Sequence, residues 1–320
     1  MEQVITIIQC IAVLGLFLAM GFAAVKTKYI KKEAAASLSG LATRFMFPAW
    51  ILSKLLSEEV TKEQIIQKLP IFVAGMLITL VLLGLGILVA VATKAPDKQK
   101  YVLIPLFSAP NAIFLAMPIC QGLFGDSGVL DCTVFSLGSD MISWTITISI
   151  MAAGSAKITG KKGKSGIHIS PATVVFVIAF ILKMLNVNLP VFLQGPIYKF
   201  GSALSYTAMI YLGVILADTD ILKIFKRKLT YVFIPVKCFV IPMVLGFLCA
   251  LTGIFTLEQT SVILIAFAAS PMISMTVFYK EYDLDYEMGS SLTFACVMLN
   301  ILSIPLVYYL FTTLAQPLFA

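Results

Sequence analysis

The sequence predicts an all-α polytopic membrane protein of ten transmembrane helices, arranged as two inverted five-helix repeats with helices four and nine broken. Three observations predict it. Hydrophobic residues make up 60% of the chain, charged residues only 12%, and the mean hydropathy is +1.00, a composition outside that of water-soluble domains. The apolar residues fall into ten runs, each close to the roughly 20 residues that cross a bilayer. Two of those runs, the fourth and the ninth, carry the same fault: a proline deep inside the apolar stretch, at Pro110 and at Pro271, 161 residues apart.

The first run, 4–25, ends in a basic loop holding Lys26, Lys28, Lys31 and Lys32. It starts too close to Glu2 and is too long for a cleaved signal. The second, 34–56, carries Arg44 and is expected to break near Pro48. A mixed-charge loop with Glu58, Glu59, Lys62, Glu63 and Lys68 leads to run three, 69–93, which Lys94, Lys98 and Lys100 close. Run four, 101–123, contains Pro110 and Pro118, neither of which can donate to a helix. The turn Phe124-Gly125-Asp126-Ser127-Gly128 is turn chemistry and not a phosphate loop, since no Lys-Ser/Thr follows. Run five, 129–156, contains Asp140. The polar stretch 157–170, with four lysines and His168, has the composition of a flexible linker.

The second half repeats the plan with runs at 171–190, 196–218, 229–252, 258–279 and 288–314. Its fourth run breaks at Pro271 and its fifth carries Asn300, which lies 29 residues after Pro271 as Asp140 lies 30 after Pro110. The repeats are therefore placed at 1–156 and 157–320. Five crossings per repeat is an odd number, so the second copy enters the membrane upside down. Positive charge sets the orientation. With the N-terminus outside, the inner loops hold sixteen Lys and Arg residues and the outer ones five. Both termini are expected outside a cytoplasmic (inner) membrane, and the basic loop 157–170 inside.

Several function classes drop out. The net charge of +7 sits in short loops between apolar runs, where orientation explains it, so no nucleic-acid partner is implied. His168 is the only histidine, which leaves no His-based metal cluster or Ser–His triad. The six cysteines form no Cys-x-x-Cys pair and read as small apolar residues. No enzymatic activity and no cofactor is expected, apart from Na⁺ or H⁺ as a coupling ion.

The two breaks are where chemistry is expected. A broken helix leaves free N–H groups at one end and free carbonyls at the other, and these ends attract anions and cations respectively. If the broken runs cross at their prolines, four half-helix ends converge near the midplane. Two interrupted runs at corresponding positions of two halves mark a transporter's binding site. Pro110 and Pro271 open the helices, and Asn111, Ser108, Ser270 and Ser274 supply directional hydrogen bonds. The alternative is that the prolines only kink two packed helices. Lys237 is an intramembrane charge that is read as a counter-ion for an anionic substrate, as a partner of Asp140, or as a snorkelling lysine. Asp140 binds Na⁺, carries a proton, or pairs with Lys237. Asn300, its neutral counterpart, makes the halves chemically unequal, which suits one coupling site. Arg44 is read as a substrate contact or as a gating or structural pair. Trp50 and Trp144 are read as packing residues.

Pro110-Asn111, Phe114-Leu115-Ala116-Met117-Pro118 and Phe124-Gly125 in the first half, with Lys237, Pro242, Ala269-Ser270-Pro271 and Tyr282-Asp283 in the second, resemble the auxin efflux carrier family of the bile acid/auxin transporter superfamily. That family includes bacterial malate permeases and plant auxin carriers. The resemblance covers essentially the whole chain, and the absence of a long cytoplasmic loop fits the bacterial branch. It implies that helices four and nine cross, that an organic-anion site lies beside the crossing, and that transport is elevator-like. Helices 1, 2, 6 and 7 would be a scaffold that also forms a homodimer, and helices 3–5 and 8–10 a mobile crossover domain. Met272 after the second proline implies a one-sided site. The function expected is secondary active transport of a small organic anion, a mono- or dicarboxylate resembling malate or auxin, coupled to H⁺ or Na⁺. The rival is a membrane sensor that binds the same ligand class without moving it.

Overall fold

The structure is a computed structural model that describes residues 2–31, 33–56, 61–160, 171–217 and 228–319. Lys32, the linker beyond residue 160 with His168, and Lys223, Lys226 and Arg227 lie outside the described residues. The described chain is helical, without strands. In order the helices are α1 Glu2–Lys26, α2 Ala34–Leu41, α3 Phe47–Leu55, α4 Lys62–Gln67, α5 Leu69–Ala92, α6 Asp97–Ser108, α7 Met117–Ile142 and α8 Ile148–Thr159. After the linker come α9 Pro171–Met184, α10 Val191–Ser202, α11 Leu204–Leu216, α12 Lys228–Pro235, α13 Ile241–Leu251, α14 Leu257–Ala268, α15 Met275–Glu281 and α16 Tyr286–Ala315.

Six helical stretches are long and apolar enough to cross a membrane: 3–26, 69–92, 112–159, 191–216, 229–251 and 286–318. The third is 48 residues long, more than twice what one crossing needs. It changes direction at Gly125, whose φ of 64° and ψ of −145° are not helical. A left-handed φ of this kind is strained for any residue with a Cβ, and it falls in the turn expected at 124–128. The broken runs fail the length test because each interruption divides them into pieces too short to span. Run seven also differs from expectation. Its helix begins at Val191, not at 196, and bends at Ala203 between α10 and α11.

Three prolines do something other than break a helix. Pro48, expected to interrupt run two, is preceded by a wide π turn, 42–46, and the helix continues through it. The Phe47 N–H bonds to the Ala42 carbonyl five residues back. Pro118 and Pro242 follow wide turns at 112–116 and 236–240, where Met117 N–H reaches Ala112 and Ile241 N–H reaches Val236. Each proline comes one residue after that long bond. The wider turn moves the carbonyl that the ring would strike and removes the need for the missing donor. These sites are bulges, and the expectation of a break at Pro48 is corrected.

Close helix pairs are built on glycine. A Cβ on Gly138 of α7 would lie 2.1 Å from the Phe72 carbonyl oxygen of α5, and one on Gly75 of α5 would lie 2.2 Å from that of Phe135 of α7. The pair α1 and α11 repeats the device, with Gly21 against Ile210 and Gly213 against Leu18. Within a membrane, where burial of apolar surface does not drive helices together, such close approach supplies the packing. Gly138→Leu forces α5 and α7 apart against backbone that cannot yield. It is expected to cost about 3 kcal/mol and to appear as a lower melting temperature in detergent. An unchanged melting temperature would show that the contact is slack.

Candidate functional site

The chain leaves α6 after Ser108, and Ala109 is extended (φ −97°, ψ 102°). In the other half it leaves α14 after Ala268, with Ala269 at φ −58° and ψ 156°. The two extended pieces run antiparallel, with Pro110 facing Pro271. Two reciprocal hydrogen bonds join them. Asn111 N–H donates to the Ser270 carbonyl at 2.9 Å, and Met272 N–H donates to the Ala109 carbonyl at 2.8 Å. In such a bridge the facing residues are a pair whose own N–H groups point away from the partner strand. Proline therefore forfeits no cross-strand bond there, which explains why both facing positions tolerate it.

Side chains brace the second half of the crossing heavily. Asn300 of α16 accepts from Ser270 N–H at 2.8 Å and donates to the Ala268 carbonyl at 2.8 Å and the Ser303 hydroxyl at 3.1 Å. Lys237, in the wide turn 236–240, donates to the Phe267 carbonyl at 2.9 Å and lies 5.5 Å from the centre of the Phe267 ring. The carbonyl end of α14 is thus closed by an ammonium and an amide. The corresponding end of α6 is not closed this way. Among the described residues, no donor reaches the carbonyls of Leu106, Phe107 or Ser108. Just beyond, the N–H groups of Ala112, Ile113 and Phe114 likewise lack a partner among the described residues. From the first half a carbonyl end and an amide end, one suited to a cation and the other to an anion, both face the crossing. In the second half the carbonyl end is closed, and only the N–H groups of Ile273 and Ser274 lack a partner among the described residues.

The expected residues fall into three groups. Asn111, Ser270, Asn300 and the two prolines meet at the crossing. Asn111 donates its side-chain amide to the Ser270 hydroxyl at 3.1 Å, while Ser108 turns back to the Ile104 carbonyl at 3.1 Å. Ser274 lies just before α15, past the second break, buried and making no side-chain hydrogen bond among the described residues. Lys237 reaches the crossing indirectly, through the Phe267 carbonyl. Asp140 is buried in α7 and makes no ion pair or hydrogen bond among the described residues. The expected alternative of an Asp140–Lys237 pair is not formed, because the Lys237 ammonium is turned to the α14 carbonyl end. Arg44 lies on the exposed side of the turn 42–46, with no ion pair among the described residues, so it is not brought to the crossing. Trp50 stacks on Tyr198 and Trp144 meets Phe278 edge-on, both as packing residues. Asn111, Ser108, Ser270 and Ser274 are all buried, so the crossing is closed to solvent in this state.

Sequence reasoning missed two charged contacts. Asp131 is buried in α7 and pairs with Lys68, just ahead of α5, beside Gln259 in the first turn of α14. It ties three helices together at one end. A second acid nine residues before Asp140, with a lysine at the edge of run three, was the available signal. Lys54 at the end of α3 pairs with Asp126 at 3.0 Å and lies over the rings of Trp50 and Tyr198. Asp126 belongs to the turn at Gly125, so this pair links run two to the tip of runs four and five.

A family model described as membrane transport protein matches residues 6–308, nearly the whole chain. No curated protein matches it.

Proposed function

The chain belongs to the family of membrane transport proteins, and from that premise we propose that it is a secondary active transporter of a small organic anion, a mono- or dicarboxylate, coupled to H⁺ or Na⁺. The observation that carries the proposal is the proline-to-proline crossing, whose first half presents both free amides and free carbonyls. The amides of 112–114 and Asn111 suit a carboxylate, and Lys237 adds positive potential from behind α14. The carbonyl end of α6 suits a cation, and Asp140, the counterpart of Asn300, is the carboxylate expected to serve it as Na⁺ ligand or proton carrier. The second half needs no such ion, since Lys237 already sits on the matching carbonyl end.

The closed crossing favours a moving binding unit over a static pore. In this reading the chain forms two inverted repeats of five crossings, with both termini outside the inner membrane. Runs 1, 2, 6 and 7 stay fixed and pair with a second copy. Runs 3–5 and 8–10 carry the site across in an elevator motion. The pair Lys54–Asp126 then joins the fixed and moving parts in one state only.

The test is the melting temperature of the purified protein against a panel of organic anions, with and without Na⁺, at two pH values. A ligand that binds only the folded state raises stability by mass action, about 2.7 kcal/mol at one hundred times its Kd. Asn111→Ala is expected to abolish the shift while leaving the ligand-free melting temperature within a few degrees. A shift undiminished in Asn111→Ala would remove that residue from the site. Uptake into vesicles separates a transporter from a sensor, which would show the shift without accumulation.

A further inference from the structure

Tyr211 of α11 is fully buried, and its hydroxyl, also buried, makes no hydrogen bond among the described residues. Its polar neighbours are the hydroxyls of Thr276, in the first turn of α15, and Ser39, on α2. Neither stands at hydrogen-bonding geometry to it. Thr276 is committed elsewhere, donating to the Ile273 carbonyl at 2.7 Å. Two residues before Thr276, Ser274 is also buried and makes no side-chain cap bond to α15. Besides α1, α11 packs on the turn 112–116 that carries the free amides after Asn111. Tyr211 therefore stands where α11 meets both broken runs.

A phenylalanine would fill this space without burying an unpaired hydroxyl, and an unpaired polar group is costly where no water reaches it. Other buried groups, the Trp50 indole N–H and the Tyr279 hydroxyl among them, also lack a partner among the described residues. At Tyr211 the hydroxyls of Ser39 and Thr276 lie beside the orphaned group, and a ligand oxygen would complete the set. The groups beside the Tyr211 hydroxyl, Ser39, Thr276 and Tyr286, are all neutral hydroxyls, with no charged side chain among them. They match a neutral oxygen better than a second carboxylate.

We propose that Tyr211 is the specificity-determining contact that α11 offers the ligand, donating its hydroxyl to a second, neutral oxygen of the anion. The ligand class is then a small aliphatic carboxylate with a hydroxyl or carbonyl group near the carboxylate. The proposal rests on the organic-anion reading of the crossing and narrows it.

The experiment compares binding of lactate and pyruvate with binding of propionate, which lacks the second oxygen, to purified wild type and Tyr211→Phe. Wild type is expected to prefer lactate or pyruvate by about tenfold, the worth of one such hydrogen bond. In Tyr211→Phe the preference should fall close to one through weaker binding of the oxygenated acid alone. Propionate affinity and the ligand-free melting temperature should not fall. A merely structural role would lower stability or weaken all three ligands together, and either outcome overturns the assignment. Wild type that binds propionate as well as lactate overturns the assignment but leaves the anion reading intact. Wild type that binds no carboxylate in this or the wider panel overturns both.

Discussion

Asn300→Ala is expected to lower the melting temperature of the purified protein by about 5–10 °C, more than any other single polar substitution at the crossing. The amide closes three groups at once: the Ser270 N–H, the Ala268 carbonyl and the Ser303 hydroxyl. All sit in the buried interior, where each orphaned group costs about 1–3 kcal/mol. Asn300→Asp keeps the acceptor for Ser270 but turns the Ala268 carbonyl against a like partial charge, so it should be no milder. Ser303→Ala, which removes one of the three contacts, serves as the control and should cost about 1 kcal/mol. Sequence reasoning paired Asn300 with Asp140 as an ion-coupling residue. Differential melting separates the two roles. A brace loses stability with and without Na⁺ alike, whereas an ion ligand would leave the ion-free protein unchanged and lose only the Na⁺ or pH response.

Lys237→Met is expected to do the reverse, leaving stability nearly intact and lowering anion affinity by about 100-fold. Methionine follows the lysine stem closely in length and shape and is apolar. Removing a wholly buried charge relieves its desolvation, a penalty of several kcal/mol for a single ion. That gain offsets the Phe267 carbonyl bond, worth about 1–3 kcal/mol to a charged donor. An anion at the crossing loses the nearest buried cation, and about 2.7 kcal/mol of interaction corresponds to 100-fold in affinity. Isothermal titration of the purified variant with the anion identified by the melting panel reads this directly. If affinity holds while the melting temperature drops, Lys237 is a helix cap and nothing more.

The parts that sequence made legible are those whose chemistry is local. Pro110 and Pro271 announce breaks because a residue without an N–H and with a fixed ring cannot continue a helix in the ordinary way. Their common spacing in two halves singles them out among the prolines of the chain. Gly125 was legible for the same reason. Pro48, Pro118 and Pro242 look alike in sequence but are answered by a wider turn. Whether a backbone stops or widens depends on what packs beside it, which the local residues do not state. The depth of Lys237 and Asp140 was readable, but their partners were not. Lys237 is satisfied by a main-chain carbonyl 30 residues away, and no side-chain pattern encodes that choice. Tyr211 escaped notice because it is one of three tyrosines in its apolar run, with Tyr198 and Tyr206. It stands out only once its hydroxyl is seen to lack a partner while lying beside residues of α2 and α15.

The crossing itself is held by amides and carbonyls that every residue except proline possesses. No exchange of one genetically encoded side chain for another deletes the bonds from Asn111 to Ser270 or from Met272 to Ala109, apart from proline at 111 or 272. An alanine scan would therefore record the props, Asn300 and Asn111, through their side chains, and pass over the backbone joint as though it were silent. Replacing the amide nitrogen of residue 111 or 272 by an ester oxygen through backbone mutagenesis removes a single donor and leaves every side chain in place. That chemistry, unlike a scan, reads the strength of the joint directly.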